Sequence, residues 1–292
     1  MRNKIIIIIL FLISFNNIKA QTDSNYIIKP NWKKGEVKNL TEVLSRSSNI
    51  DSINEIHKPD TVSISTIKVL DVLNDGYVLE FKVRYKDKEI DSLAYLKEYL
   101  DKINFIIKLD TLGKFKELQN WRSLIDNYKE LKKRIKKEAK KENKKYSSIK
   151  NLIKELNEVA TKRSLIETCL FETNIFLSLY GEHLKLYDSV SMPTIEPDEV
   201  IKEGIPLTKI TVTKKIDEDR FSVKHSDIYD KTKTKILIDK YYPGVDLDSA
   251  VTTSYNFYIY NNKTSWVEKI IFYVQYQDTS WGYTNISTYT IE

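Results

Sequence analysis

The clearest structural pattern in the chain lies in Thr61–Tyr85, which reads TVSISTIKVLDVLNDGYVLEFKVRY. Polar and apolar residues alternate through 61–69 and again through 77–85, which is the two-residue period of a strand with one buried face. The two runs are joined through Asn74, Asp75 and Gly76, residue types that are typical of a tight turn. The stretch therefore predicts an antiparallel hairpin with one apolar face.

Similar strand patterns occupy two regions, 26–118 and 207–292. In the first region, Trp32–Glu36 resembles a turn leading into a first strand, and 103–109 and 114–118 form a second predicted hairpin. In the second region, the predicted strands are the alternating runs 209–216, 220–228, 254–260, 266–276 and 283–291. The last three of these runs are rich in aromatic residues.

The intervening region, 119–186, has the three- and four-residue spacing of helices. A first apolar stripe consists of Trp121, Leu124, Ile125, Tyr128, Leu131 and Ile135, and lysines fill the opposite face as far as Lys145. A second helical pattern covers 149–160. A third segment, Leu165 to Tyr180, is apolar on nearly every side, which predicts a buried helix with Gly181 as its C′ residue.

The order of these regions predicts an α+β fold. A curved, mostly antiparallel sheet in strands–helices–strands order would pack around the buried helix, beside a long Lys-rich amphipathic helix. Residues 188–206 contain three prolines and are interpreted as a connector. We expect residues 21–292 to form one α+β domain, with a split into two domains near 190 as the alternative.

The first residues have the layout of a cleaved signal peptide. Arg2 and Lys4 precede an eleven-residue apolar run, Ile5–Phe15, interrupted only by Ser14, and cleavage is predicted between Ala20 and Gln21. The run is too short to cross a hydrocarbon core of roughly 30 Å. With residues 1–20 removed, the chain is expected to be exported to the periplasm or secreted, without a transmembrane helix.

Cysteine usage adds two expectations. Cys169 is the only cysteine, so no intramolecular disulfide can form, and its apolar neighbours favour a buried thiol over a reactive one. Because no cysteine lies near the cleavage site, the protein is not expected to be a lipoprotein.

The sequence predicts no catalytic residue, no cofactor and no metal site. Three histidines, His57, His183 and His225, lie far apart and lack the spacing of zinc ligands. Ser-x-x-Lys occurs at 65–68 and 147–150 without the partner motifs of serine enzymes. Acids at 198–199 and 217–219 sit at predicted turns, so a hydrolase with a carboxylate pair stays open as a hypothesis.

Basic residues concentrate in one segment. Of the +6 net charge, the signal peptide supplies three, and the segment Lys129 to Lys145 has ten basic and three acidic residues. This segment is either a solvated helix face or a contact with an anionic membrane surface. Nucleic acid is not an expected partner, since aromatic residues hardly interleave with the lysines. The C-terminal aromatics are interpreted as core and sheet pairs, or alternatively as a sugar-stacking platform.

A recurring triplet of Asp, then Ser or Thr, then an apolar residue provides candidate modification sites. It resembles the acceptor sequence for O-glycosylation in some Gram-negative envelopes, and the acceptors would be Ser52, Thr61, Ser92, Thr111, Ser189 and Ser249. Asp-Ser and Asp-Thr are also common near turns and strand starts, because these side chains bond to the nearby backbone. Both interpretations stay open.

The layout resembles the lipoprotein-carrier-like half-barrels of bacterial envelopes, and the Trp32–Glu36 turn resembles that of uncharacterised secreted bacterial envelope proteins. The carrier resemblance implies an apolar small molecule or lipid between sheet and helices. Our first hypothesis is therefore a non-enzymatic exported envelope protein that binds such a ligand. The alternative is a structural or adhesion-type surface protein that binds protein or glycan.

Overall fold

In the part of the chain that the structure describes, eleven strands form one large antiparallel sheet. The computed structural model describes residues 25–50, 53–85, 104–141, 153–154, 157–158, 160–186, 189–196, 201–241, 251–277 and 281–292. Its first strands are β1 (Asn25–Ile27), β2 (Val37–Ile50), β3 (Ile53–Leu73), β4 (Gly76–Tyr85), β5 (Asn104–Leu109) and β6 (Phe115–Leu118).

Among the described residues, two helices with defined bounds follow β6 and a third interrupts the later strands; residues 153–154 and 157–158 are also helical. The remaining elements are α1 (Trp121–Lys141), α2 (Lys162–Leu177), β7 (His183–Lys185), β8 (Ser189–Glu196), β9 (Ile205–Lys215), β10 (Arg220–Tyr229), α3 (Lys231–Tyr241), β11 (Val251–Asn261), β12 (Trp266–Gln277) and β13 (Trp281–Ile291). The short strands β1 and β7 pair with each other as a separate two-stranded sheet.

In the large sheet, β2 lies in the middle and β3 to β6 follow it in order to one edge. The chain then forms the other edge with β8, and β9 to β13 lead back until β13 pairs with β2. The strand order is β6-β5-β4-β3-β2-β13-β12-β11-β10-β9-β8, with every neighbouring pair antiparallel. β13 pairs with β2 from Trp281 opposite Ile50 to Ile291 opposite Leu40, which joins the early strands to the late ones. Within the described residues the sheet is open, with β6 and β8 at its edges.

One face of the sheet, which we call the inner face, carries the core. It buries Ile67 and Leu79 of the first hairpin, Ile107 of β5, and Tyr258 and Ile270 of the late strands. α1 and α2 pack on this side and add their own apolar residues to the same cluster. Since side chains alternate along a strand, the neighbouring residues point to the opposite side, the outer face.

The strand predictions are confirmed in outline. The hairpin of β3 and β4, the hairpin of β5 and β6, and the mostly antiparallel sheet are present. The turn before β2 is also present. Gly35 has a left-handed backbone (φ 87°), and its N–H donates to the Val69 carbonyl oxygen at 2.8 Å.

The interpretation of 188–206 as a connector is wrong in part, because it contains β8. Pro193 lies inside this strand, opposite Thr208 of β9. Proline cannot donate a hydrogen bond to a neighbouring strand, but β8 is at the edge and has a neighbour on one side only. Of the three prolines, Pro193 thus lies in an edge strand and Pro206 near the start of β9, while Pro197 lies outside the described residues.

The helices differ from prediction in three details. α2 buries one face only, and Phe171 on the other face is 76% exposed. α2 ends at Leu177 with Ser178 as C-cap, so Gly181 is not the C′ residue but closes the following turn with φ 77°. α3 lies in a region expected to contain strands, although Asp230 before it accepts a hydrogen bond from the Lys233 N–H, as an N-cap does.

Candidate functional site

The outer face of the early strands is polar and charged. Its outward residues on β3, β4 and β5 are Ile64, Thr66, Lys68, Glu80, Lys82, Arg84, Asn104, Ile106 and Lys108. Glu80 accepts a hydrogen bond from the Asn104 amide at 2.6 Å, and Lys108 forms an ion pair with Asp75 at 2.8 Å. This is the composition expected of a sheet face that meets water.

The outer face of the late strands is different, and we call it the outer patch. The register of β9 to β13 places every second residue on it: Thr208, Ile210, Val212, Lys214, Ser222, Lys224, Ser226, Ile228, Thr253, Tyr255, Phe257, Ile259, Lys269, Ile271, Tyr273, Gln275, Thr284, Ile286, Thr288 and Thr290. With usual strand spacings this grid measures roughly 24 by 27 Å. These positions carry three lysines and no Asp or Glu. Beyond Ser222 the same face continues to Arg220, which is paired with Asp217 and Glu268.

An aromatic stack lies in the middle of the outer patch. Tyr255 and Tyr273 are direct cross-strand partners, and their rings stack with centroids 4.7 Å apart and planes 11° from parallel. The Lys224 ammonium lies 4.2 Å from the centroid of the Tyr255 ring. Lys224 comes from β10 and Tyr273 from β12, on either side of β11, so both faces of the Tyr255 ring are covered. The Tyr273 hydroxyl donates to Gln275 Oε1 at 2.7 Å.

The inner face is filled by side chains where α2 crosses it. Phe176 of α2 and Phe81 of β4 are both 1% exposed, with ring centroids 5.5 Å apart. Tyr180 is fully buried, and its hydroxyl donates to the Ser265 carbonyl oxygen at 2.8 Å. Trp32 Nε1 donates to the same oxygen at 3.1 Å while its ring lies 5.0 Å from that of Tyr180. Burial raises the pKa of Tyr180 well above its ordinary value.

A cavity of about 160 Å³ lies between α2 and the turn that joins β5 to β6. Phe115, Leu170 and Leu177 line it together with Thr173 and Asn174. Small-molecule sites usually measure about 300 to 1,000 Å³. The cavity is therefore small for the apolar ligand that was expected between sheet and helices.

The carboxylates that the structure describes near the core and at the predicted turn have structural partners. Glu42 accepts hydrogen bonds from the Tyr289 hydroxyl and the Ser63 hydroxyl, each at 2.9 Å. Burial and the Glu42 carboxylate raise the pKa of Tyr289. At the predicted acidic turn, Asp217 binds Arg220, which lowers the pKa of Asp217. The acids at 198–199 lie outside the described residues.

The Lys-rich helix α1 packs on the inner side of the molecule. Leu124, Tyr128, Leu131 and Ile135 are buried, as the predicted stripe requires. On its exposed face, Lys129 pairs with Asp126 and Lys133 pairs with Glu130, both at 2.8 Å. Lys132 donates to the Asn157 side chain at 2.7 Å. These contacts neutralise part of the segment Lys129 to Lys145, whose last four residues lie outside the described residues.

The other candidate groups are dispersed. His57 and His183 are exposed, and His225 is half-buried with Nδ1 2.9 Å from the Thr211 hydroxyl. Burial lowers the pKa of His225. Among the residues that the structure describes, no three His, Cys, Asp or Glu side chains converge as metal ligands. Cys169 is buried, and burial raises the pKa of its thiol to about 12.

Three of the candidate glycan acceptors can be located. Thr111 is exposed in the turn between β5 and β6, Ser189 is exposed at the first position of β8, and Thr61 is half-buried within β3. Ser52, Ser92, Ser249 and both residues of the cleavage site, Ala20 and Gln21, lie outside the described residues. Glycosylation and cleavage stay predictions.

Sequence reasoning missed the outer patch because it treated all C-terminal aromatics as one group. Tyr258 and Tyr260 belong to the buried core, whereas Tyr255 and Phe257 are only half-buried on the outer face. The signal was present in the alternation, since both sets of positions in β11 are aromatic. A strand that is apolar on both faces indicates a second contact surface.

In the part of the chain that the structure describes, no helix is both long and apolar enough to cross a membrane.

Comparisons with known proteins identify no family. No protein-family model matches the chain, and no curated protein matches it by sequence. Solved structures similar to it include Ail, the attachment invasion locus protein of Yersinia pestis, with 6% identity over 89% of this chain and 100% of that chain and a TM-score of 0.17. Another is an outer membrane channel from Pseudomonas putida F1, with 6% identity over 90% and 98% and a TM-score of 0.21. Scores this low carry no argument about fold or function.

Proposed function

We propose that the chain is an exported protein of the cell envelope that docks its outer patch on an anionic lipid surface. One observation carries the proposal. The outer patch combines nine aliphatic or aromatic residues and eight Ser, Thr or Gln residues with Lys214, Lys224 and Lys269. None of these twenty positions is acidic, whereas the outer face of the early strands is mixed in charge. Export rests on the signal-peptide pattern of residues 1–20.

The composition of the outer patch fits a membrane–water interface. Tyrosine and lysine both combine an apolar body with a polar end, which suits the boundary between acyl chains and headgroups. Each basic side chain near an anionic leaflet contributes about 1 kcal/mol of attraction.

Two other partners fit the patch less well. A sugar ring stacks on an open aromatic face, but both faces of the Tyr255 ring are occupied by Tyr273 and Lys224. A second copy of the chain would place lysines against lysines when the two patches meet, which costs energy without an intervening acid. An anionic partner avoids both difficulties.

The filled inner face supports this proposal over that of a carrier with a central cavity. Phe81, Phe176 and Tyr180 occupy the space where an apolar ligand was expected. Residues that pack this tightly cannot make room for a ligand without opening the core. The lysines of α1 are the competing lipid contact, and they lie on the opposite side of the sheet.

Vesicle binding with charge-reversed variants tests the proposal. We expect the protein to sediment with phosphatidylglycerol vesicles and not with phosphatidylcholine vesicles. Lys224→Glu together with Lys269→Glu should weaken binding about 100- to 1,000-fold, since two reversed charges change the attraction by roughly 4 kcal/mol.

Two matched double variants are the controls. Lys68→Glu with Lys82→Glu places the same charge change on the outer face of the early strands, again with one exposed and one half-buried lysine. Lys136→Glu with Lys137→Glu places it on the exposed face of α1. Both should bind nearly as well as the unchanged protein. Equal loss in all three variants, loss confined to the α1 variant, or no vesicle binding at all would overturn the proposal.

A further inference from the structure

An apolar groove lies beside the outer patch, where α3 meets the sheet edge. Ile195 at the end of β8, Pro206 of β9, and Ile236 and Leu237 of α3 line a space of about 310 Å³. This is within the usual volume range of small-molecule sites. Ile195 and Ile236 are 62% and 63% exposed, so the groove is open to the outside.

The groove is continuous with the outer face. Ile195 is the direct cross-strand partner of Pro206, and the strand alternation places Pro206 on the same face as Thr208 and Ile210 of the outer patch. Ile228, an outer-patch residue that is 53% exposed, is the cross-strand partner of Thr208 and is an apolar side chain at the end of the patch nearest the groove. No outward Asp or Glu therefore separates Thr208 and Ile228 of the outer patch from Pro206 of the groove, so a molecule bound to the patch can extend into the groove.

The groove has polar groups at its margin only. Lys233 lines it and is paired with Asp230 at 3.1 Å, an exposed pair that holds its partner weakly. Glu203 on the same margin is held by the Lys240 ammonium at 2.7 Å and the Tyr241 hydroxyl at 2.6 Å. Glu203 and Lys233 are thus each paired within the protein, both in exposed pairs, and an incoming acid group would share the Lys233 ammonium with Asp230.

We propose that this groove accepts one acyl chain of an anionic envelope lipid, with the acid headgroup beside Lys233. The inference rests on the proposed function, because the lipid would come from the surface that the outer patch contacts. The carbon lining, the volume and the cation at the margin together match an unbranched chain that ends in an acid. Insertion of a single chain would convert a reversible electrostatic contact into a longer-lived one.

A chain-length series of fatty acids tests the groove directly. Octanoate, decanoate and dodecanoate are titrated into the full chain by calorimetry, below their micelle concentrations. Each added methylene that enters the groove should raise the affinity about fourfold, until the groove is full and the affinity stops rising. Absence of saturable binding, or an affinity independent of chain length, would overturn the proposal.

Exposed isoleucines provide variants that leave folding intact. Ile195→Ser and Ile236→Ser should each lower dodecanoate affinity at least tenfold, because both remove carbon from the lining. Ile64→Ser, at an isoleucine 47% exposed on the outer face of the early strands, is the matched control and should bind dodecanoate unchanged. Unchanged binding in both groove variants, or equal loss in the control, would refute the assignment.

The two proposals fail in different ways. If vesicles bind through Lys224 and Lys269 but dodecanoate does not bind, the outer patch stands and the acyl-chain groove is wrong. If dodecanoate binds in the groove but vesicles do not bind, the groove is a site for free fatty acid and the proposed source of the chain is wrong.

Discussion

The early and late halves of the sheet have outer faces of different composition, although the inner faces of both halves contribute to the hydrophobic core. Both inner faces bury apolar side chains against the helices, with Phe81 and Phe105 in the early strands and Tyr258 and Ile270 in the late ones. Outside, the early strands present Lys68, Glu80 and Lys82 and the late strands present isoleucine, tyrosine and lysine. A strand needs only one apolar face to join a core. The nine aliphatic and aromatic residues on the outer face of the late strands do not belong to that core, and we propose that they serve binding.

Truncating one phenylalanine on each face tests the difference between the two faces most directly. Phe81→Ala on the inner face should lower the free energy of unfolding by about 3–5 kcal/mol, because the side chain is fully buried and leaves a cavity. Phe257→Ala on the outer patch should cost about 1 kcal/mol or less, the size of a cross-strand contact. Urea unfolding of both variants measures the two losses.

The ratio of the two losses is informative in either direction. A large loss for Phe257→Ala would mean that the outer patch is part of a folding core and is covered in the native protein. A small loss for both would mean that the inner face is loosely packed, and the central-cavity hypothesis would return.

The parts of this fold that were predictable are those governed by local periodicity. The alternation around Asn74–Gly76 indicated β3 and β4, and the stripe from Trp121 to Ile135 indicated α1. The position of β8 was not predictable from its own residues. Pro193 argues against a strand unless the segment is known to lie at an edge, and that depends on a pairing partner, β9, more than ten residues away.

The tyrosine stack offers a second, smaller test of the outer patch. A double-mutant cycle with Tyr255→Ala and Tyr273→Ala should give a coupling energy of about 0.5–1.5 kcal/mol, the range for stacked aromatic pairs. Stability is measured by urea unfolding for the two single variants and the double variant. Tyr255 with Ile286 is the control pair, since Ile286 is the partner of Tyr273 rather than of Tyr255. Strict additivity at Tyr255 and Tyr273 would show that the rings do not act together.

The candidate site was less predictable than the fold, because it depends on which strands become neighbours. Lys224, Tyr255 and Tyr273 come from three strands and meet only through the registers of β10, β11 and β12. The sequence around each of these residues, taken alone, is as compatible with a buried side chain as with an exposed one. The absence of acids from the outer patch likewise becomes visible only when alternate residues of five strands are read together.

The smallest expected effect concerns the ion pair between Lys240 of α3 and Glu203 at the margin of the groove. Hydrogen bonds from Lys240 and Tyr241 lower the pKa of Glu203 from 4.5 to about 2. A carboxyl group whose pKa is depressed by folding stabilises the native state above its unfolded pKa. This stabilisation is complete above pH 4.5 and is lost as the pH falls towards 2. Because the pair is exposed, water and salt keep the contribution small.

A carboxyl NMR titration of Glu203 measures this effect without requiring acid unfolding. We expect a midpoint near pH 2 in the unchanged protein and a rise towards 4.5 in Lys240→Met, because the largest cause of the shift is removed. Lys108→Met, which removes the partner of Asp75 in the early strands, is the matched control and should leave Glu203 unaffected. A pKa of Glu203 near 4.5 in the unchanged protein would mean that Lys240 and Tyr241 of α3 do not bind the Glu203 carboxylate. The wall of the groove would then be mobile, and the loss of dodecanoate affinity in Ile236→Ser should be correspondingly smaller than in Ile195→Ser.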